Sequence, residues 1–499
     1  MPRSERQQPP ASAAGHRSRA TLAFALVCAL AGCGSGCDGE RRKLLDKPRS
    51  PHEAAVPGDA AVAAVAAPGD AAVVTPMSFL DAPGAALAPL FSALAAAERS
   101  EPNARVLWLV FGDSHTAGDS LTQRLRTTLQ GRFGDAGRGM VAAGKPPTRH
   151  YYQRDVHYGA SGKWKAAVGG HKGDPEPYGL AGLRVYGQSK GAQLWVETCT
   201  ECQVGARVAQ FEILYYAAPD HGVLRYRVDD KPWQQLKTRT AAIEPPHPAR
   251  QVIPVTDGPH KLTLEHGGGG TIDLFGVVLE RLRPGVIVDS LGVVGRRLGS
   301  LRSWDWSVIG EQLASRDPRI VILQYGTNEA DDPDLDLEAM ARYFDETILR
   351  IRAAAPTAAI LILGPPDMAA REGGKPCDKR KPDAPAIPEC EWHTPHVLTE
   401  IISVQHAAAI RNHAAFFDTF AAMGGEGTMA RWYEREPRLV SGDFTHTTKG
   451  GSDRVARLLV GAIEEAYRDW LEESATGTAP REGDSPAPVG ATGAGETPR

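Results

Sequence analysis

Ser114 stands where a nucleophile would. In Phe111-Gly112-Asp113-Ser114-His115 it follows the short apolar run Val106 to Phe111 and precedes a segment with leucines at 121, 125 and 129. A serine on a tight turn between a buried strand and a helix is exposed and close to backbone N–H donors. Gly-Asp-Ser is also ordinary turn and N-cap chemistry, so the serine needs partners before it means anything. A hydrolytic serine requires a base, an orienting acid and donors for an oxyanion. Asp443 and His446 lie three positions apart in Ser441-Gly-Asp-Phe-Thr-His446, a spacing that lets the carboxylate reach the imidazole of its own loop. Taken alone, that loop could be a helix cap with a surface histidine. Asn328, in Tyr325-Gly-Thr-Asn-Glu329 after another apolar run, can present a side-chain amide to a developing oxyanion. Gly295, in Gly292-Val-Val-Gly-Arg-Arg297, can bring a backbone N–H close to a ligand, with Gly292 as its rival. Asn in a turn and Gly in a loop are common without function, and only the conjunction is specific.

These positions need a scaffold that gathers loop ends. Short apolar runs at Val106–Phe111, Val286–Val288, Arg319–Gln324, Ala359–Leu363 and Ala415–Asp418 alternate with helical patterns over Ala88–Arg99, Gly118–Phe133, Leu335–Ala354, His396–His413 and Gly451–Leu471. Strands alternating with helices predict a three-layer α/β/α fold with a parallel sheet. All four motifs then fall at the carboxyl ends of strands, where such sheets place their sites. Residues 141–285 break the pattern. Their strands at Gln193–Glu197, Ala209–Ala217, Val223–Val228, Lys261–Glu265 and Ile272–Leu282 alternate apolar and polar residues between turn signals, which predicts an inserted antiparallel β-sandwich. The hydrolytic motifs therefore lie in two pieces, 79–140 and 286–474.

The chain has 499 residues, 42% apolar and 23% charged, with a formal net charge of −4. That is ordinary for a globular protein and gives no footprint for nucleic-acid binding. The N-terminus departs from this. Arg17 and Arg19 precede an apolar run from Thr21 to Ala31, too short to span a bilayer and of signal-peptide length. It ends in Leu30-Ala-Gly-Cys33, which resembles a lipobox, and implies a signal over 1–33 with Cys33 lipidated. The expected location is the periplasmic face of an outer membrane, with a soluble periplasmic or secreted protein as the alternative. Residues 34–78 and 475–499, rich in Ala, Pro and Gly, are expected to be a disordered tether and tail. Of seven cysteines, Cys28 falls in the signal, Cys33 in the lipobox and Cys37 in the tether. Cys199 with Cys202 and Cys377 with Cys390 are two natural disulfide pairs for an oxidising compartment. A zinc site is the lesser reading, because the two spacings do not match.

The four motifs, in this order, resemble those of the SGNH/GDSL-type hydrolases over residues 104–140 and 286–472. That resemblance implies a flavodoxin-like sheet, with Ser114, His446 and Asp443 as the triad and the N–H groups of Ser114 and Gly295 with the Asn328 side chain as the oxyanion hole. It calls for no cofactor and no metal. Glu329 departs from the Asp that many members carry there. The stretch Gly112 to Asp119, the inserted β-domain and Val288 to Gly295 are similar to periplasmic peptidoglycan O-acetylesterases. This implies a serine esterase that removes O-acetyl groups from muramic acid in peptidoglycan, using a jelly-roll-like carbohydrate-binding insert. The expected partners are an acetylated glycan and the membrane that holds the lipid anchor. Alternatives are an acetylesterase on another polysaccharide, an O-acetyltransferase, and a catalytically inactive glycan-binding lipoprotein. Trp195, Tyr215, Tyr216, Tyr226 and Trp233 are the insert's possible sugar platforms, with Trp195 expected in the sandwich core.

Overall fold

The computed structural model describes residues 78–147, 150–170, 177–371 and 390–477, all within one compact unit that begins at Val74. The expected signal, lipidated Cys33, most of the tether, Cys377 and the tail beyond residue 477 lie outside the described residues.

Among the described residues, six strands form the central sheet: β1 (Leu80–Asp81), β2 (Arg105–Gly112), β3 (Gly285–Gly292), β4 (Ile320–Gln324), β5 (Ala359–Leu363) and β6 (Ala415–Phe417). Their order is β1-β6-β5-β4-β2-β3. Every pairing is parallel except that of two-residue β1, which runs antiparallel on the edge beside β6. Among the parallel strands the chain order is second, first, third, fourth, fifth, which is the flavodoxin-like arrangement with its switch point between β2 and β4.

Strand β2 shows why its sequence is apolar without a break. Val106, Trp108 and Val110 enter one core, with Leu94, Leu125 and Leu459 from the helices Ala88–Glu98, Ser120–Phe133 and Lys449–Thr476. Leu107, Leu109 and Phe111 enter the other, with Leu313, Phe344 and Leu398 from Trp306–Arg316, Leu337–Ala354 and His396–Arg411. A strand covered on both faces has no place for polar alternation.

Three local expectations are corrected. The helix expected over Gly118–Phe133 begins at Ser120, and Asp119, whose φ is +48°, separates it from a short, unexpected helix at Ser114–Ala117. The helix expected over Gly451–Leu471 runs over Lys449–Thr476, past the limits of 474 and 475 drawn for the domain and the tail. The strand at Val286–Val288 extends over Gly285–Gly292, so Gly292 is a strand residue.

Antiparallel ladders occupy Gly139 to Glu280. One sheet has the order Gln234–Lys237, Val223–Val228, Lys261–Gly268, Gln193–Thr198, Val156–Ser161. The other has the order His247–Gly258, Val208–Ala217, Ile272–Glu280, Leu183–Gly187, Trp164–Val168, with Gly139–Val141 also on Ile272–Glu280. That last pairing joins the entry and exit of the inserted segment, so the segment leaves the α/β sheet and returns at one place. Alternation is visible in burial: Leu194, Val196 and Thr198 point inward, as do Leu224, Tyr226 and Val228. Trp195 is on the outer face instead, half-buried, with Lys261 Nζ 4.3 Å from its ring centroid.

A buried ionic cluster fastens the insert to the Ser114 side of the sheet. Arg126 donates to Asp119 at 3.2 Å and to Asp155 at 2.8 Å, and Arg138 donates to Asp119 at 3.0 Å. Burial alone would raise the Asp119 carboxyl, but Arg126 and Arg138 hold it below its usual range. Asp119 therefore stays charged, and the cluster explains why a non-glycine residue accepts a left-handed backbone there.

Candidate active site

The turn carrying Ser114 is built by close approach. A Cβ on Gly112 would lie 2.1 Å from Thr116 Oγ1 and 2.8 Å from the Gln324 carbonyl, so glycine alone fits at the end of β2. Thr116 then donates to Gln324 Oε1 at 2.5 Å, tying the turn to β4, and Ser290 Oγ donates to the Thr116 carbonyl at 2.8 Å, tying it to β3. Asp113 caps the turn by accepting from the His115 N–H at 2.8 Å.

His446 arrives from the loop before the last helix. Its Nε2 is 2.7 Å from Ser114 Oγ, and its Nδ1 is 2.8 Å from Asp443 Oδ2. The other Asp443 oxygen accepts the N–H groups of His446 at 2.9 Å and Thr445 at 3.1 Å. Partial burial would raise the Asp443 carboxyl, and these bonds outweigh it and hold it below its usual range. An ionised Asp443 fixes the Nδ1–H tautomer, which leaves Nε2 free to take the serine proton. The loop is anchored by Phe444, whose ring lies 3.9 Å from that of Trp392 and 4.3 Å from that of Tyr433. Nothing in the motif spacing singles out these aromatics, because they meet only through the fold.

Asn328 Nδ2 donates to the Arg296 carbonyl at 3.0 Å and reaches Asp113 Oδ2 at 3.4 Å. Gly295, with φ +71°, has open space where a Cβ would be. Gly292 has none: its Cβ would strike the Ala117 nitrogen at 2.2 Å, so this glycine packs under the nucleophile turn. Among the described residues, the N–H groups of Ser114 and Gly295 have no protein acceptor. Ser114, Gly295, Asn328, Asp443 and His446 all line one cavity of about 620 Å³. A second cavity of about 520 Å³ adjoins it across Gly295 and Asn328.

Glu329, where the resemblance expects Asp, has a structural task. It is buried and accepts the Gly326 N–H at 2.9 Å and the Leu298 N–H at 2.8 Å, joining the Asn328 turn to the segment that follows Gly295. Burial pushes its carboxyl up. Burial and the nearby Glu329 charge also push Asp113 up to about 7. His115 stacks on His446 with ring centroids 5.1 Å apart. Burial and the His446 charge lower His115 to about 3, so it stays neutral beside His446.

Cys199 and Cys202 form a disulfide with Cα atoms 5.4 Å apart, which removes their thiolates from any zinc site. The grouping of His157, Cys199 and Glu201 is therefore no metal centre. Cys390 is also disulfide-bonded. Of the insert's aromatics, Tyr215 and Tyr226 are buried, Tyr216 is half-buried, and Arg225 and Arg227 stack at 4.9 and 4.8 Å on Trp233. Among the described residues, no helix is long and apolar enough to cross a membrane.

No protein-family model matches the sequence, and no curated protein matches it. Solved structures do. A peptidoglycan O-acetylesterase superposes with a TM-score of 0.62 at 23% identity, covering 78% of this chain and 99% of its own. The chain has the fold of that enzyme. A family two carbohydrate esterase from Cellvibrio japonicus matches with a TM-score of 0.23 at 11% identity, over 63% of this chain and 99% of its own. A GDSL-like lipase from Parabacteroides merdae matches with a TM-score of 0.27 at 13% identity, over 36% of this chain and 73% of its own.

Proposed function

We propose that this protein is a serine esterase that removes O-acetyl groups from a cell-envelope glycan, with the O6 acetyl of muramic acid in peptidoglycan as the specific target. The observation that carries this is the continuous line Ser114 Oγ, His446 Nε2, His446 Nδ1, Asp443 Oδ2, with steps of 2.7 and 2.8 Å, opening on a cavity of about 620 Å³. His446 takes the Ser114 proton as Oγ attacks the ester carbonyl. The oxyanion is received by the N–H groups of Ser114 and Gly295 and by Asn328 Nδ2. His446 then gives its proton to the leaving sugar hydroxyl, and a water deprotonated by His446 releases acetate from the acyl-serine. Two adjoining cavities sharing the oxyanion residues suit a polymer that runs past the acetyl group on both sides.

The lipobox-like Cys33 and the Cys199–Cys202 bond support an exported protein held at a membrane beside its substrate. Acetate release from O-acetylated peptidoglycan fragments, measured for wild type and Ser114→Ala, tests the function. Wild type is expected to release acetate and the variant is not. Equal release from both would sink the serine mechanism, and Ser114-dependent release from acetylated xylan alone would sink the peptidoglycan assignment.

A further inference from the structure

The first loop of the insert reaches into the catalytic cavity. Tyr152 and Arg154 line it together with Ser114, Asn328 and His446. The backbone of this loop is fixed. The Tyr152 N–H donates to the Ala117 carbonyl at 2.9 Å, and the Arg154 N–H donates to Asp119 Oδ2 at 2.7 Å. The Arg154 carbonyl accepts from Arg138 Nε at 2.7 Å. The loop is thereby pinned to Ala117 and Asp119, a few residues beyond the nucleophile.

The Arg154 side chain is unlike the other arginines nearby. Arg126, Arg138 and Arg316 are buried, and each donates to at least one carboxylate. Among the described residues, no carboxylate lies within ion-pair distance of Arg154, and its Nε is shielded from solvent with no hydrogen-bond partner. Its neighbour Asp155 is committed to Arg126 and Gln123. The guanidinium lies 5.5 Å from the centroid of the Tyr152 ring, which is itself exposed. Among the described residues, the one carboxylate lining the cavity, Asp443, is committed to His446, whereas Lys449 and His150 also line it. Lys449 has a partner in Asp453 at 3.3 Å. Among the described residues the terminal N–H groups of this guanidinium have no protein acceptor, and the planar fork of arginine matches a carboxylate in two-point contact.

We propose that Arg154 binds a carboxylate on the acetylated glycan, making this a site for acidic sugar esters, with Tyr152 as the surface beside it. The inference rests on the esterase reading and deepens it. Muramic acid carries such a group, because its lactyl substituent ends in a carboxyl that is free in a bare glycan and amide-linked where a peptide is attached. Arg154 then acts as a specificity residue supplied by the insert to a reaction performed by the α/β sheet.

Three substrates test this with the full chain: 6-O-acetyl-N-acetylmuramic acid, its lactyl methylamide, and the same sugar bearing a short peptide with free carboxylates. Acetate release gives kcat/KM for each. Wild type is expected to prefer at least one of the two carboxylated forms over the methylamide by about tenfold or more. Preference for the free lactyl acid places the carboxylate on the sugar, and preference for the peptide form places it on the peptide. Arg154→Met is expected to bring that ratio close to one, mainly through a higher KM, and Arg154→Lys to keep part of it. Ser114-dependent release with no charge preference in wild type overturns this proposal alone, as does a preference that survives in Arg154→Met. Absence of Ser114-dependent release from all three overturns the esterase reading and this proposal with it. Where Arg154→Met does not fold, judged by its melting curve, the wild-type ratios and Arg154→Lys still decide.

Discussion

The α/β sheet and the inserted sandwich solve different problems with different sequence grammar. The sheet is buried on both faces, so its strands are continuous apolar runs and its polar chemistry is pushed out to the loops at their carboxyl ends. The sandwich has an outer face, so its strands alternate and their outward residues are solvent chemistry such as Glu197, Lys261 and Arg225. The lesson is that a doubly wound sheet concentrates function at one edge, whereas a sandwich distributes polarity along every strand. The insert joins the site through a loop, not through its ladders.

That contrast can be broken by substitution. Asp443→Ala should lower kcat/KM by about 10⁴-fold, because the imidazole loses the group that fixes its tautomer; a loss under tenfold would show that the loop's own packing orients His446. Arg126→Met should destabilise the chain by about 3–5 kcal/mol by leaving Asp155 buried without its cation and Asp119 with Arg138 alone. Urea unfolding would measure it, and an unchanged midpoint would show that insert and sheet are not fastened there. Asn328→Ala should cost about 10²–10³ in kcat with little change in KM; a loss confined to KM would make Asn328 a ground-state contact.

A pH experiment sharpens the comparison inside the nucleophile turn. Asp113 is raised from 3.8 to about 7, so its contribution to stability is full below its unfolded value and is lost as pH rises through 7. His115 is lowered from 6.5 to about 3, so its contribution is full above 6.5 and is lost as pH falls through 3. The two slopes oppose each other across the interval they share, and wild-type stability is expected to be nearly flat in these two groups there. His115→Asn should expose a fall in stability with rising pH of about 1.4 kcal/mol per unit, and Asp113→Asn a rise of similar size. Unfolding free energies at pH 4.5, 5.5 and 6.5 (roughly the shared window) would settle it, and slopes matching wild type in both variants would remove the opposition. The smallest effect belongs to the insert's outer face. Trp195→Ala should change kcat/KM on a small acetyl ester by less than about twofold, since outer-face changes seldom exceed about 0.5 kcal/mol; a large loss would mean that the sandwich takes part in the chemistry.

What could be read from the sequence follows the same division. Ala359–Leu363 is bounded as expected because five apolar residues end at Gly364-Pro365, a stop that needs no tertiary information. Ser114, Asn328, Asp443 and His446 are recognisable because each belongs to a short motif whose spacing carries its chemistry. The kink at Asp119 is not recognisable, because its cause is a pair of buried arginines, one of them 19 positions away. The strand His247–Gly258 is hidden by Pro248 and Pro254, which are tolerated because it lies at a sheet edge. Arg154 carries no local signal, since its role depends on partners that the fold withholds from it.

The contact between Ser114 and His446 closes across 332 positions. A polypeptide is made from its N-terminus, so Ser114 exists for most of synthesis without His446. The Ser114–His446 pair forms only when the final loop and the helix Lys449–Thr476 have been made and have docked against Ser120–Phe133. On the proposed esterase reading, a nascent or C-terminally truncated chain is inert towards esters, and the order of synthesis itself acts as a safeguard against premature activity.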